Sequence, residues 1–107
     1  MVDLQARIEK VIYCVDGMHT DYVDNNTGDA IQWLRHVSLA YGRYKHEIQL
    51  NRDVAMVHSY ELNELLKCVS VMHDEFLSSK YQYGDVMRWL SEISHFYSKY
   101  QEVEDEI

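Results

Sequence analysis

Glu92 and His95 stand three residues apart, the Glu-x-x-His spacing with which di-iron bundles hold metal. Such a site needs a second pair and two further inward carboxylates. His58 and Glu61 supply only the reverse order, and Glu92 and His95 fall beside the apolar seam of their segment rather than on it. Asp24-Asn25-Asn26-Thr27-Gly28 resembles a calcium loop, yet its glycine is fifth rather than sixth, and the twelfth place is Arg35 instead of a bidentate Glu. Ser, His and Asp all occur, but spacing does not bring them together. There is neither a nucleophile elbow nor a phosphate-cradling G-x-x-x-x-G-K run. These patterns assign no catalytic residue, metal ligand or cofactor, and the chain reads as a binding protein, not an enzyme.

Two charged stretches could do recognition chemistry. From Gln32 to Arg52, four bases (Arg35, Arg43, Lys45, Arg52) face one acid, Glu47. They interleave with Tyr41 and Tyr44, a combination suited to phosphate contact and base stacking. Both tyrosines lie on the core seam, however, so the expectation is that these bases are solvated or paired with acids of a neighbouring subunit. The second stretch is the acidic run Glu102, Glu104, Asp105 and Glu106. Negative charge at a helix C-terminus is unfavourable, so this run is expected to fray or to reach for a basic partner. Nine tyrosines and two tryptophans exceed what a core of this size needs. Tyr60 and Tyr81, off the seams, are the candidate aromatic anchors of an interface.

The elements that must position these residues are helical. Ala30, Leu34, Val37, Tyr41, Tyr44, Ile48, Asn51, Ala55, His58, Leu62, Leu65, Val69, Met72 and Phe76 recur in steps of four and three. That repeat of about 3.5 residues marks one face of an α-helix. No Gly or Pro falls between Gly42 and Gly84. Two packings satisfy the seam. One is a continuous helix over 28–77, of about 50 residues and roughly 75 Å. The other is a hairpin broken near Asn51-Arg52-Asp53. The continuous helix needs partner subunits to cover it, and Asn51 and His58, polar on the seam, would then set oligomer register. Residues 3–15 form a first helix ended by Gly17, residues 16–28 an acidic loop, 85–101 a last helix, and 102–107 an acidic tail. The expected fold is a single all-α domain, an elongated oligomeric bundle.

Composition narrows the partners. The chain has 107 residues, no Pro, four Gly, and a net charge of -8 from 18 acids and 10 bases. That balance disfavours nucleic acid and anionic membrane and favours a protein with a basic surface. Cys14 and Cys68 read as reduced thiols. With no signal core or spanning apolar run, the expected location is cytoplasmic.

Asp3-Leu4-Gln5, Asn25-Asn26, Trp33-Leu34 and Asp74-Glu75-Phe76-Leu77, followed by an aromatic-rich last helix, are similar to segments of the T4-type phage recombination mediators. The resemblance implies a ring-forming helical protein that binds single-stranded DNA and loads a recombinase. In place of that family's basic cluster the chain has Ala55-Met56-Val57-His58. The leading expectation is therefore a small acidic binding protein of phage type. It would inhibit or modulate a nucleic-acid-handling host machine, as anti-CRISPR-like anti-defence proteins do. The alternatives are a mediator-like single-stranded DNA binder using Arg35, Arg43, Lys45 and Arg52, and a small-ligand sponge or adaptor.

Overall fold

The apolar seams resolve into four helices in a computed structural model that describes residues 4–50 and 58–105. They are α1 (Leu4–Val23), α2 (Thr27–Leu50), α3 (Tyr60–Ser78) and α4 (Tyr83–Asp105), with no strand among the described residues. Each junction has a local cause. Asn25 takes the left-handed conformation (φ 65°), while the Asn26 and Asn25 amides donate to the Asp21 and Tyr22 carbonyls. That double closure satisfies carbonyls left over at the end of α1. The Asn26 carbonyl accepts the first helical bond of α2, from Ala30, and Asp29 sits in the positive first turn. Ser59 caps α3, its hydroxyl accepting from the Leu62 amide at 3.2 Å. Ser79 (φ 59°) closes α3 by donating its amide to Phe76, and Asp85 reaches back to the Gln82 amide at 3.0 Å to start α4.

The four helices run up, down, up and down. Arg7 meets Glu47 while Asp21 meets Trp33, so α1 and α2 are antiparallel. Tyr44 meets His58 while Ser38 meets His73, which sets α2 against α3 the same way. Glu75 binds Arg88 and Trp89 across the α3–α4 turn, and His19 and Asp16 of α1 meet Ser94 and Tyr97 of α4, closing the bundle. One stripe of each helix fills the core: Ile8, Val11, Val15 and Met18 from α1, Leu34 and Val37 from α2, Leu65, Val69 and Met72 from α3, Leu90 and Ile93 from α4.

The elongated bundle around one long central helix is not what forms. The 28–77 stretch is α2 and α3, antiparallel, in a molecule of 39 × 36 × 19 Å. The physical reason is burial within one chain. Leu34, Val37 and Tyr44 are buried in the one core that all four helices share, so this part of the seam needs no partner subunit to cover it. The hairpin alternative describes the architecture, although Asn51, Arg52 and Asp53 themselves lie outside the described residues. The last helix begins two residues earlier than expected, at Tyr83, and extends through the acidic run to Asp105.

α1 also runs past its expected end, and the 16–23 segment is helix rather than loop. Gly17 does not terminate it. The Trp33 ring lies against Gly17 so closely that a Cβ there would fall 2.6 Å from two ring carbons. Glycine here is a requirement of approach, not of turning. Gly17→Ala should therefore destabilise the bundle by about 1–3 kcal/mol, although alanine favours a helix. Urea unfolding would check this. In a Trp33→Leu background the same substitution should become neutral or stabilising.

Candidate functional site

Antiparallel pairing of α3 and α4 decides which candidate residues meet. Cys68 feels the Glu92 carboxylate, and from that level Tyr60 and Glu61 lie back along α3 while Glu102 lies on along α4. Both runs of about 10–15 Å point to the same end of the bundle. Tyr60, the first residue of α3 and 72% exposed, thus shares an end with Glu61, Glu64 and Glu102. Glu102 is exposed on the last turns of α4. Glu104 and Asp105 belong to the same helix but their side chains, like all of Glu106, lie outside the described residues. Tyr81 is elsewhere: at the opposite end it stacks on Phe76 (5.6 Å, 14° between planes) and packs on Trp89. It seals the α3–α4 turn and is not brought near Tyr60.

Charge divides between the two hairpins. α1 and α2 carry five acids and five bases, whereas α3 and α4 carry nine acids and three bases. Two of those three bases are engaged: Lys67 with Glu64 at 3.1 Å, and Arg88 with Glu75 at 2.7 Å and Asp85 at 3.6 Å. The surplus on this hairpin is uncompensated negative charge. On α2 the reverse holds. Arg35, Arg43 and Lys45 are exposed and make no ion pair among the described residues. Arg35 and Arg43 stand two turns apart with the exposed Leu39 between them. Arg52 and Asn51 lie outside the described residues.

Histidines occupy the helix seams. His58, just before α3, shares a 3.0 Å hydrogen bond with the Tyr44 hydroxyl inside the chain. His73 is buried on α3, sharing a 2.8 Å bond with Ser38 and packing edge-on to Tyr41. A Cβ on Gly42 would sit 3.1 Å from its ring, so glycine makes room for it. His19 bonds the buried Ser94, while the Tyr97 hydroxyl donates to Asp16 at 2.8 Å. Burial, then the Asp16 acceptor, drives the Tyr97 phenol well above its ordinary range. Neither Ser–His pair has a carboxylate bonded to its histidine among the described residues, and both hydroxyls are buried, so their chemistry here is mutual hydrogen-bond satisfaction. Glu92 and His95 are exposed, and no cluster of three or more potential metal ligands occurs among the described residues. No described helix is long and apolar enough to cross a membrane. Cys14 and Cys68 are free thiols.

One feature escaped sequence reasoning: a cleft between α1 and α2 flanked by Lys10, Tyr13, Trp33 and Arg43. Its signal was available as two i,i+3 pairs on consecutive helices, Lys10 with Tyr13 and Trp33 with His36. No protein-family model, curated protein or solved structure matches the chain.

Burial first, with Lys45 adding repulsion, lowers the His73 pKa below its ordinary 6.5 against the opposing pull of Asp74 and the Ser38 bond. The folded state thus binds this proton less readily than the unfolded chain. The stability that neutral His73 confers is complete above about pH 6.5 and is lost as pH falls toward the depressed value. Thermal unfolding should lose up to about 1.4 kcal/mol per pH unit in that window. The double variant Ser38→Ala/His73→Leu should lack that component.

Proposed function

We propose that this protein acts by binding, and that its working face is the acidic end of the α3–α4 hairpin. The occupant is a protein with a basic surface, of the kind a nucleic-acid-handling machine presents to its substrate. By sitting there the protein inhibits or modulates that machine, in the manner of a phage anti-defence protein. The observation that carries the reading is that the antiparallel α3–α4 pairing puts Tyr60, Glu61 and Glu64 at the same end of the bundle as Glu102, from which the acidic run continues in sequence. An exposed tyrosine buries a large ring at little conformational cost, while carboxylates at the same end steer it to a cationic site. The hairpin as a whole carries nine acids against three bases, so its charge stays strongly negative even with Lys67 paired to Glu64 and Arg88 paired to Glu75.

The test is capture of bacterial lysate proteins on the immobilised protein. Captured proteins should carry a basic nucleic-acid-binding surface and should be displaced by added DNA. Tyr60→Ala should weaken binding by about tenfold or more. Reversing Glu102, Glu104, Asp105 and Glu106 to Lys should abolish it, whereas Tyr81→Ala, remote from this end, should leave it intact if the variant stays folded by circular dichroism. Capture that DNA does not displace, or that survives the charge reversal, would remove the acidic end from the account.

A further inference from the structure

The α1–α2 side holds a cleft whose charge is opposite to that of the α3–α4 hairpin. Lys10, Tyr13 and Cys14 from α1 face His36, Ala40 and Arg43 from α2 across a cleft of about 250 Å³, with Trp33 at one end. Pairing of Arg7 with Glu47 sets the register and brings the Lys10 turn opposite the Arg43 turn. The cleft therefore changes character along its length: Arg43 lies at the end nearer Arg7, Trp33 and His36 lie at the other, and Lys10 stands over the Tyr13 ring between them.

No carboxylate lines it. Asp21 and Asp29 lie beyond the ring end, on the far side of Trp33 and His36, where Asp21 accepts the indole N–H at 2.8 Å, and Glu47 pairs with Arg7. Arg43 has no ion pair among the described residues, and the Lys10 ammonium has only the Tyr13 ring, 5.1 Å from its centroid. Burial holds the Cys14 thiol above its ordinary pKa despite the nearby lysine, which keeps the floor uncharged. Two cations and no carboxylate in the lining of a concavity favour an anion there, even in a chain of net charge -8.

The ring end has its own demand. Tyr13 is 62% exposed and Leu39, on the rim, 54%. Trp33 is held against Gly17, stands edge-on to Tyr13 (6.2 Å, 75°) and to His36 (5.6 Å, 64°), and is anchored through Asp21. The indole is thus set in place by packing and a hydrogen bond. Seven residues separate His36 from Arg43, about 10 Å along the helix, the reach from a phosphate to the far edge of the base in one nucleotide.

We propose that this cleft binds one nucleotide unit, either free or as part of a single strand, with Lys10 and Arg43 on the phosphate and Tyr13 and Trp33 against the base. Aromatic faces accept any base, so affinity rests on the joint presence of ring and phosphate rather than on base identity. The site is separate from the acidic end and stands or falls independently of it.

The experiment is titration of the full chain followed by amide and indole N–H resonances, which distinguish Trp33 in the cleft from the buried Trp89. The probes are adenosine monophosphate, thymidine monophosphate, adenosine, inorganic phosphate and a thymidine oligonucleotide. Both mononucleotides should move the Trp33 indole and the Ala40 amide saturably and leave Trp89 in place. Adenosine and phosphate, each filling half the cleft, should bind about tenfold or more weakly. Lys10→Glu/Arg43→Glu should abolish the shifts, and Arg88→Glu, on the other hairpin, should not. An oligonucleotide that binds more tightly per site, and loses affinity steeply with salt, identifies the strand as the source; equal affinity identifies the free nucleotide. Absence of saturable shifts with every nucleotide probe, shifts that persist in the double charge reversal, or a cleft that answers only to polyglutamate overturns the proposal. The last result would make it a dock for an acidic protein segment.

Discussion

The Trp33 ring lying on the bare backbone of Gly17 is the contact on which the α1–α2 hairpin depends. It sets the helix separation locally and directs the indole N–H to Asp21. A methyl group at position 17 would push the ring outward and strain that hydrogen bond. The core residues that α1 contributes (Ile8, Val11, Val15 and Met18) reach their neighbours only if the two helices stay this close. Trp33 also forms one end of the cleft that holds Lys10 and Arg43, so a packing constraint and a cleft wall share one side chain.

Away from that contact, the register of the bundle is held by polar pairs set into apolar seams. Ser38 with His73 joins α2 to α3, and His19 with Ser94 and Asp16 with Tyr97 join α1 to α4. No deeply buried side-chain nitrogen or oxygen among the described residues lacks a partner. A sliding helix would leave these groups unpaired, and that cost is far steeper than the cost of moving one leucine past another. The apolar stripes supply cohesion, and the polar pairs choose one alignment from many.

Much of the core was legible in the periodicity. Ala30, Leu34, Val37, Tyr44, Leu62, Leu65, Val69 and Met72 were all on the seam and are all buried. The break between α2 and α3 was harder to read because the residues between the helices keep both in phase with one repeat and include neither Gly nor Pro. The informative signal was weaker: Ser59 followed by Glu61, a cap and a first-turn acid. Gly17 misled because glycine ends helices more often than it admits a ring, and the ring in question is on the next helix. Ser38 and His73 are 35 residues apart and His19 and Ser94 are 75, distances over which no spacing rule operates. The acidic run and Tyr60 were visible as residues. Their convergence needed the antiparallel α3–α4 pairing, and the neutralising of Arg88 by Glu75 and Asp85 needed the turn between them.

The unequal sharing of charge between the hairpins has a consequence for how the molecule travels. One half is balanced and the other strongly negative, so the bundle carries a large electric dipole besides its net charge. A field from a charged surface exerts torque on such a body as well as force. Screening confines that field to about 8 Å at physiological ionic strength, a small fraction of the 39 Å length of the molecule. Turning is therefore confined to the last approach, within a few water layers of the surface. There, rotation competes with contact, and the protein turns its α3–α4 side toward a cationic surface and its α1–α2 side toward an anionic one.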